Sequence, residues 1–174
     1  MNLLKQLKTQ TKVVADSGDF ESIKKFNPVD STTNPSLIYA AAQDNKYSYL
    51  IDEALAFAKS KTTDNQKQPS IATDRLFVDF GLEILKIVPG RVSTEVDARL
   101  SFDTEASVRK ARKLIVLYNS SGTINQRGHP LQSDVTVFYA SGNCLRSSGG
   151  TTHFAICRKS SRLAHEKLSW TGIN

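Results

Sequence analysis

Cysteine, histidine and tryptophan are scarce in this chain, and long apolar runs are missing from it. Only two cysteines occur, Cys144 and Cys157, and they lack CxxC spacing. That excludes a disulfide framework and a cysteine-built zinc site. The three histidines, His129, His153 and His165, show no ligand spacing of the HExxH kind, so no metal is expected. No stretch approaches the roughly 20 apolar residues of a membrane-spanning helix. The amino-terminal MNLLKQLKTQTK is polar and carries no secretory hydrophobic region. These absences predict a soluble, cytoplasmic protein with no membrane partner.

What is present is enough for one globular domain: 174 residues, 39% of them hydrophobic. The length falls short of the about 250 residues typical of a complete (β/α)8 barrel. The net charge of +6 is uneven. Residues 123–174 hold 6 Lys/Arg against 2 Asp/Glu, a surplus of 4, which leaves 2 for the first 122 residues. A basic tail can touch nucleic acid. No basic or aromatic periodicity accompanies it here, so unpaired surface charge is the expectation, with no nucleic-acid partner.

The chain changes character near Gly122, where the reading divides it into residues 1–122 and 123–174. Before that point helix and strand signals alternate. Leu3, Leu4 and Leu7 form a short amphipathic helix, and KVVAD, residues 12–16, reads as a buried-type strand ending in an acid. Phe20, Ile23 and Phe26 mark the next helical face, and VDSTT the second strand. Pro35 forbids a helix through Asn34 but suits a first helical turn. A helix is predicted from about Ser70 to Val88, stopped by Pro89-Gly90. In RVSTEVDA, the third strand, alternation places Val92, Thr94 and Val96 on one face and Ser93, Glu95 and Asp97 on the other. Asp103 is a suitable N-cap for a helix carrying Val108, Ala111, Leu114, Ile115 and Tyr118 inward. Three strand–helix units in succession predict a parallel sheet curling toward a barrel, an α/β fold. After Gly122, Ser, Gly and Thr become dense and an irregular tail is expected.

Asp16, Thr32, Asn34, Ser93 and Glu95 fall near the carboxyl ends of these three strands, where a parallel barrel gathers its active site. Two acids with three neutral hydrogen-bonding groups suit proton transfer on a polyol. Each has a plainer reading. Asp16 can be a turn acid before Ser17-Gly18, Asn34 an N-cap, and Ser93 and Glu95 the lining of a solvated edge. Their shared placement favours the functional reading.

The strings VVADSGD, DSTTNPSLI and GRVSTEVDARLSFDTEA resemble the transaldolase family, and the resemblance runs from residue 1 to about 122–127. It implies a partial (β/α)8 barrel of the class I aldolase type, its first three to four βα units. It also implies sugar-phosphate substrates, transfer of a dihydroxyacetone unit, and no cofactor. By motif, Asp16 resembles the acid that moves protons during carbon–carbon cleavage. Glu95 resembles the acid that works through a water on the carbinolamine and imine steps. Thr32, Asn34 and Ser93 resemble the residues that hold that water and the ketose. The family's Schiff-base lysine lies on its fourth strand, in a segment of the kind ILIKLAST. Here LIVLYNSSGTINQR still resembles the family, and then GHPLQSDVT departs from it, with Leu131 where the lysine is expected. Lys159 and Lys167 stand in no matching context.

The departure predicts an inactive chain, and it reads as a change of frame. Codons for Thr152 to Arg158, read one base later, can spell Leu-Thr-Leu-Leu-Phe-Ala, close to a strand the family carries after its lysine. The same shift over His129 to Ser133 can spell Ile-Leu-Phe-Lys. A barrel lacking half its strands exposes an edge, so self-association, aggregation or docking on full-length subunits is the alternative expectation.

Overall fold

The computed structural model describes residues 2–100, 102–121, 135–139, 143–148 and 151–156. Helix α1 (Leu3–Gln10) leads into strand β1 (Val14–Asp16), then α2 (Phe20–Phe26) and β2 (Asp30–Thr33). Helices α3 (Pro35–Ala42), α4 (Ser48–Lys61) and α5 (Gln68–Leu85) precede β3 (Val92–Glu95), and α6 (Thr104–Asn119) follows it. Short 3-10 turns occupy Asn45–Tyr47 and Ala98–Leu100. Three further strands are β4 (Val135–Tyr139), β5 (Asn143–Ser148) and β6 (Thr151–Ile156).

All six strands form one sheet in sequence order. β1 to β4 run parallel, whereas β5 and β6 are antiparallel additions beyond β4. The expected parallel units are therefore present, but the sheet is open: among the described residues β1 pairs only with β2 and β6 only with β5. Beyond residue 121 the described stretches are the three strands β4 to β6. VTVFY supplies the β-branched and aromatic residues that pleated backbone favours.

The core lies between the sheet and its helices. Val92, Thr94 and Val96 are buried, as the alternation requires, with Ser93 and Glu95 on the other side. Tyr47 meets Phe20 and Phe80 edge to face and Phe20 lies tilted against Phe80, with centroids 4.7 to 5.5 Å apart, a geometry that suits the ring quadrupoles. α6 buries Ala111, Leu114, Ile115 and Tyr118 and starts on Asp103, whose carboxylate accepts from the Ala106 N–H at 2.8 Å. α5 is tied to α6 by Asp74, a buried carboxylate paired with Lys110 and with Lys113 (2.9 Å). A second buried acid of α5, Asp79, pairs with Arg75 one turn earlier at 2.9 Å. Burial pushes the Asp79 carboxyl up to about 6, against the attraction of Arg75.

Gly81 of α5 passes under Tyr118 so closely that a Cβ there would lie 1.8 Å from the hydroxyl oxygen. The Tyr118 and Thr94 hydroxyls share a hydrogen bond of 2.7 Å. One bond thus fastens β3 to α6 across the absent side chain of α5.

KVVAD is not a buried strand: Val14 is 48% exposed, because its side chain leaves the same face of β1 as Asp16 rather than the helix-facing one. α1 forms, but it buries none of its residues, and Leu3 is 84% exposed. It is attached instead by the Lys8 ammonium, which donates to the Phe26 and Asn27 carbonyls at 2.6 and 2.8 Å. α5 also starts and stops earlier than expected, at Gln68 and Leu85, with the chain turning through Lys86–Gly90 into β3.

Candidate functional site

Strand register assembles the site. Asp16 lies opposite Thr32, and Thr32 opposite Ser93, so these three form one row across the ends of β1, β2 and β3. Side chains of paired residues in a parallel sheet leave from the same face. On that face Asp16 is exposed and Thr32 and Ser93 are half-buried, whereas Ser31, Thr33, Val92 and Thr94 on the other are buried. The row is fixed laterally by the Thr32 hydroxyl, which donates to the Asp16 carboxylate at 2.9 Å. Glu95 stands two residues beyond Ser93 on the same side and is exposed. Burial and then the charge of Asp16 push its carboxyl above the usual carboxylate range. Two acids near one another, one with a raised affinity for protons, can pass a proton between groups on a bound polyol.

Asn34 ends β2 and caps α3. Its carbonyl oxygen accepts from the Leu37 N–H at 2.9 Å, with the backbone extended at φ −129° before Pro35. The N-cap reading is therefore correct, and it leaves the amide NH2 as a donor. Asn34 and Glu95 line a common depression of about 400 Å³ at the strand ends. The structure thus places Asp16, Thr32 and Ser93 in one row, with Glu95 and Asn34 one step further out. Leu131, Lys159 and Lys167 lie outside the described residues.

A brace that the sequence did not reveal holds the turn after Asp16. The Asp19 carboxylate accepts from the Ser22 N–H and hydroxyl (3.2 and 2.7 Å), the Lys46 ammonium (2.8 Å) and the Tyr47 hydroxyl (2.9 Å). The Tyr47 oxygen in turn accepts from the Phe20 N–H at 3.0 Å. Lys46 first, then Ser22, hold the Asp19 carboxyl well below its ordinary range. The partners lie 27 and 28 residues away, beyond any local spacing rule.

Among the described residues no group of three or more histidine, cysteine or acidic side chains converges on a metal position. No helix there is long and apolar enough to cross a membrane.

The profile of the transaldolase/fructose-6-phosphate aldolase family matches residues 13–129. A transaldolase of Aeromonas salmonicida is 59% identical over 124 residues, 71% of this chain and 39% of its own length. A transaldolase of Histophilus somni is 60% identical over the same span and shares. Transaldolase A of Pasteurella multocida is 59% identical over 124 residues, again 71% and 39%. This chain thus spans about two fifths of the length of these relatives, and the matched part contains all five candidate residues. A family profile covering that much of the sequence, over strands that carry its polar residues in register, means that this chain belongs to the transaldolase/fructose-6-phosphate aldolase family.

Proposed function

We propose that this chain carries the proton-transfer and substrate-holding part of a transaldolase site but not its covalent catalyst. In a complete site the reaction moves a dihydroxyacetone unit from sedoheptulose 7-phosphate to glyceraldehyde 3-phosphate, within the pentose phosphate pathway. Asp16 is the acid that moves protons as the carbon–carbon bond breaks. Glu95 works through a water on the carbinolamine and imine, and its raised proton affinity suits that task. Thr32 and Ser93 hold the water and the ketose hydroxyls, with the Asn34 amide as donor. The observation that carries this reading is the register row Asp16–Thr32–Ser93, with Glu95 beside it on the same face.

Cleavage in this family's manner needs an amine that becomes an imine and takes up the electron pair of the broken bond. No lysine occurs between Lys113 and Lys159, and β4, the strand beside β3, reads VTVFY. The chain by itself is therefore inactive. Residues 123–174 are the product of a shifted reading frame, which transcript sequencing across codons 115–175 tests directly. Borohydride trapping with fructose 6-phosphate tests the chemistry. No adduct is expected by mass spectrometry, and a stable adduct overturns the reading.

One observation favours a second reading. Among the described residues β1 is paired on one side only, Val14 is half exposed, and Asp16, Thr32 and Ser93 on the site face reach solvent. A half-barrel of that kind docks on full-length subunits or on itself, which size exclusion with and without a full-length relative measures.

A further inference from the structure

Behind Glu95 lies a second, larger cavity that the transaldolase reading does not use. It has a volume of about 530 Å³ and opens between α3, α5 and α6. That is within the range of small-molecule sites, roughly 300–1,000 Å³. Its apolar walls come from Ile38, Leu76, Phe77, Val96 and Leu114. Tyr39 stands at the cavity 71% exposed, an aromatic ring that α3 holds outward rather than packs.

The charges around it are mostly spoken for. Asp74 is paired with Lys110 and Lys113, and Asp97 with Arg99, whose guanidinium donates to both carboxylate oxygens. Glu95 also lines the cavity, and among the described residues no cation pairs with it. Among the described residues the carboxylate without a paired cation at this cavity is that of Glu95. A cationic ligand finds a carboxylate waiting.

We propose that this cavity binds an aromatic amine, its ring between Tyr39, Phe77 and the aliphatic wall and its ammonium against Glu95. Glu95 then serves two spaces, the open face of the sheet and the cavity behind it. An ammonium beside it holds the carboxylate ionised, opposing the effect of burial. An occupied cavity therefore withdraws Glu95 from proton transfer on the open face. The proposal is independent of whether the chain forms an imine, since the ligand touches neither β4 nor the residues after it.

The test is a titration of the full chain followed by the methyl NMR signals of Ile38, Leu76 and Leu114. Three probes share one ring: tryptamine, neutral 3-ethylindole and anionic indole-3-propionate. All three methyl groups shift with tryptamine. It binds about fivefold more tightly than 3-ethylindole, the scale of one solvent-reaching ion pair, and indole-3-propionate binds most weakly. In Glu95→Gln, an exposed position that folding tolerates, tryptamine and 3-ethylindole bind alike. Ser36→Trp, also exposed and at the cavity lining, blocks both. Equal affinities for the three probes, a tryptamine preference that survives Glu95→Gln, or silent methyl signals would each overturn the proposal.

Discussion

On the helix-facing side of β2 and β3, Ser31, Thr33, Val92 and Thr94 are fully buried. On the opposite side of the same strands and of β1, Asp16, Thr32, Ser93 and Glu95 reach solvent. Adjacent residues of a four-residue strand thus live in different media. The difference shows a division of labour set by the two-residue pleat. The covered side carries stability, through dense packing and the hydroxyl bonds of Ser31 and Thr94. The open side carries polar groups that packing does not need, and is free to hold chemistry.

The largest effect should come from breaking the covered side. Phe80 is completely buried against Phe20 and Tyr47. Phe80→Ala is expected to cost about 3–5 kcal/mol, enough to unfold much of a marginal domain, as thermal or urea denaturation would show. If the cost were below about 1 kcal/mol, the covered side would not be the load-carrying one.

A smaller, pH-dependent effect belongs to Asp79 on the same side. Its folded carboxyl titrates near 6 and its unfolded one near 3.8. Folding therefore takes up a proton between these values, and stability falls as pH rises from about 4 to 6. Asp79→Asn is neutral throughout. Its melting temperature should match that of the unaltered chain near pH 4 and exceed it at pH 7.5. The expected gain is about 1 kcal/mol after loss of the Arg75 pair. An equal gap at both pH values would remove the argument.

The smallest effect is reserved for the open side. Ser93→Ala should change stability by less than about 0.5 kcal/mol. A larger loss would mean that the site face also contributes to folding, and the contrast between the two sides would blur.

How much of this was legible follows from the reach of the signals. The alternation in RVSTEVDA placed Val92, Thr94 and Val96 inward without error, because a pleat is a local property. Asn34 and Asp103 declared themselves as caps for the same reason. KVVAD misled, because an apolar run reports propensity and not which of its faces another layer covers. α1 forms as read, with Leu3 and Leu7 exposed among the described residues. The brace of Asp19, Lys46 and Tyr47, the pairing of buried Asp74 with Lys110 and Lys113, and the second role of Glu95 all arise from contacts between distant segments. No window of the sequence contains both partners. Gly81 within FGLEIL was the one local hint of such a contact, a missing side chain in an otherwise bulky apolar run.

That glycine has a further consequence. The Tyr118 hydroxyl fits only above the bare backbone at position 81, and its partner Thr94 is the residue between Ser93 and Glu95. Were α6 to slide by one residue, Leu117 or Asn119 would arrive over the gap and the Thr94 hydroxyl would be stranded in apolar surroundings. The trio therefore works as an alignment pin: it lets the hydrophobic layers close in one registration only, and in that registration β3 turns its serine and its acid outward.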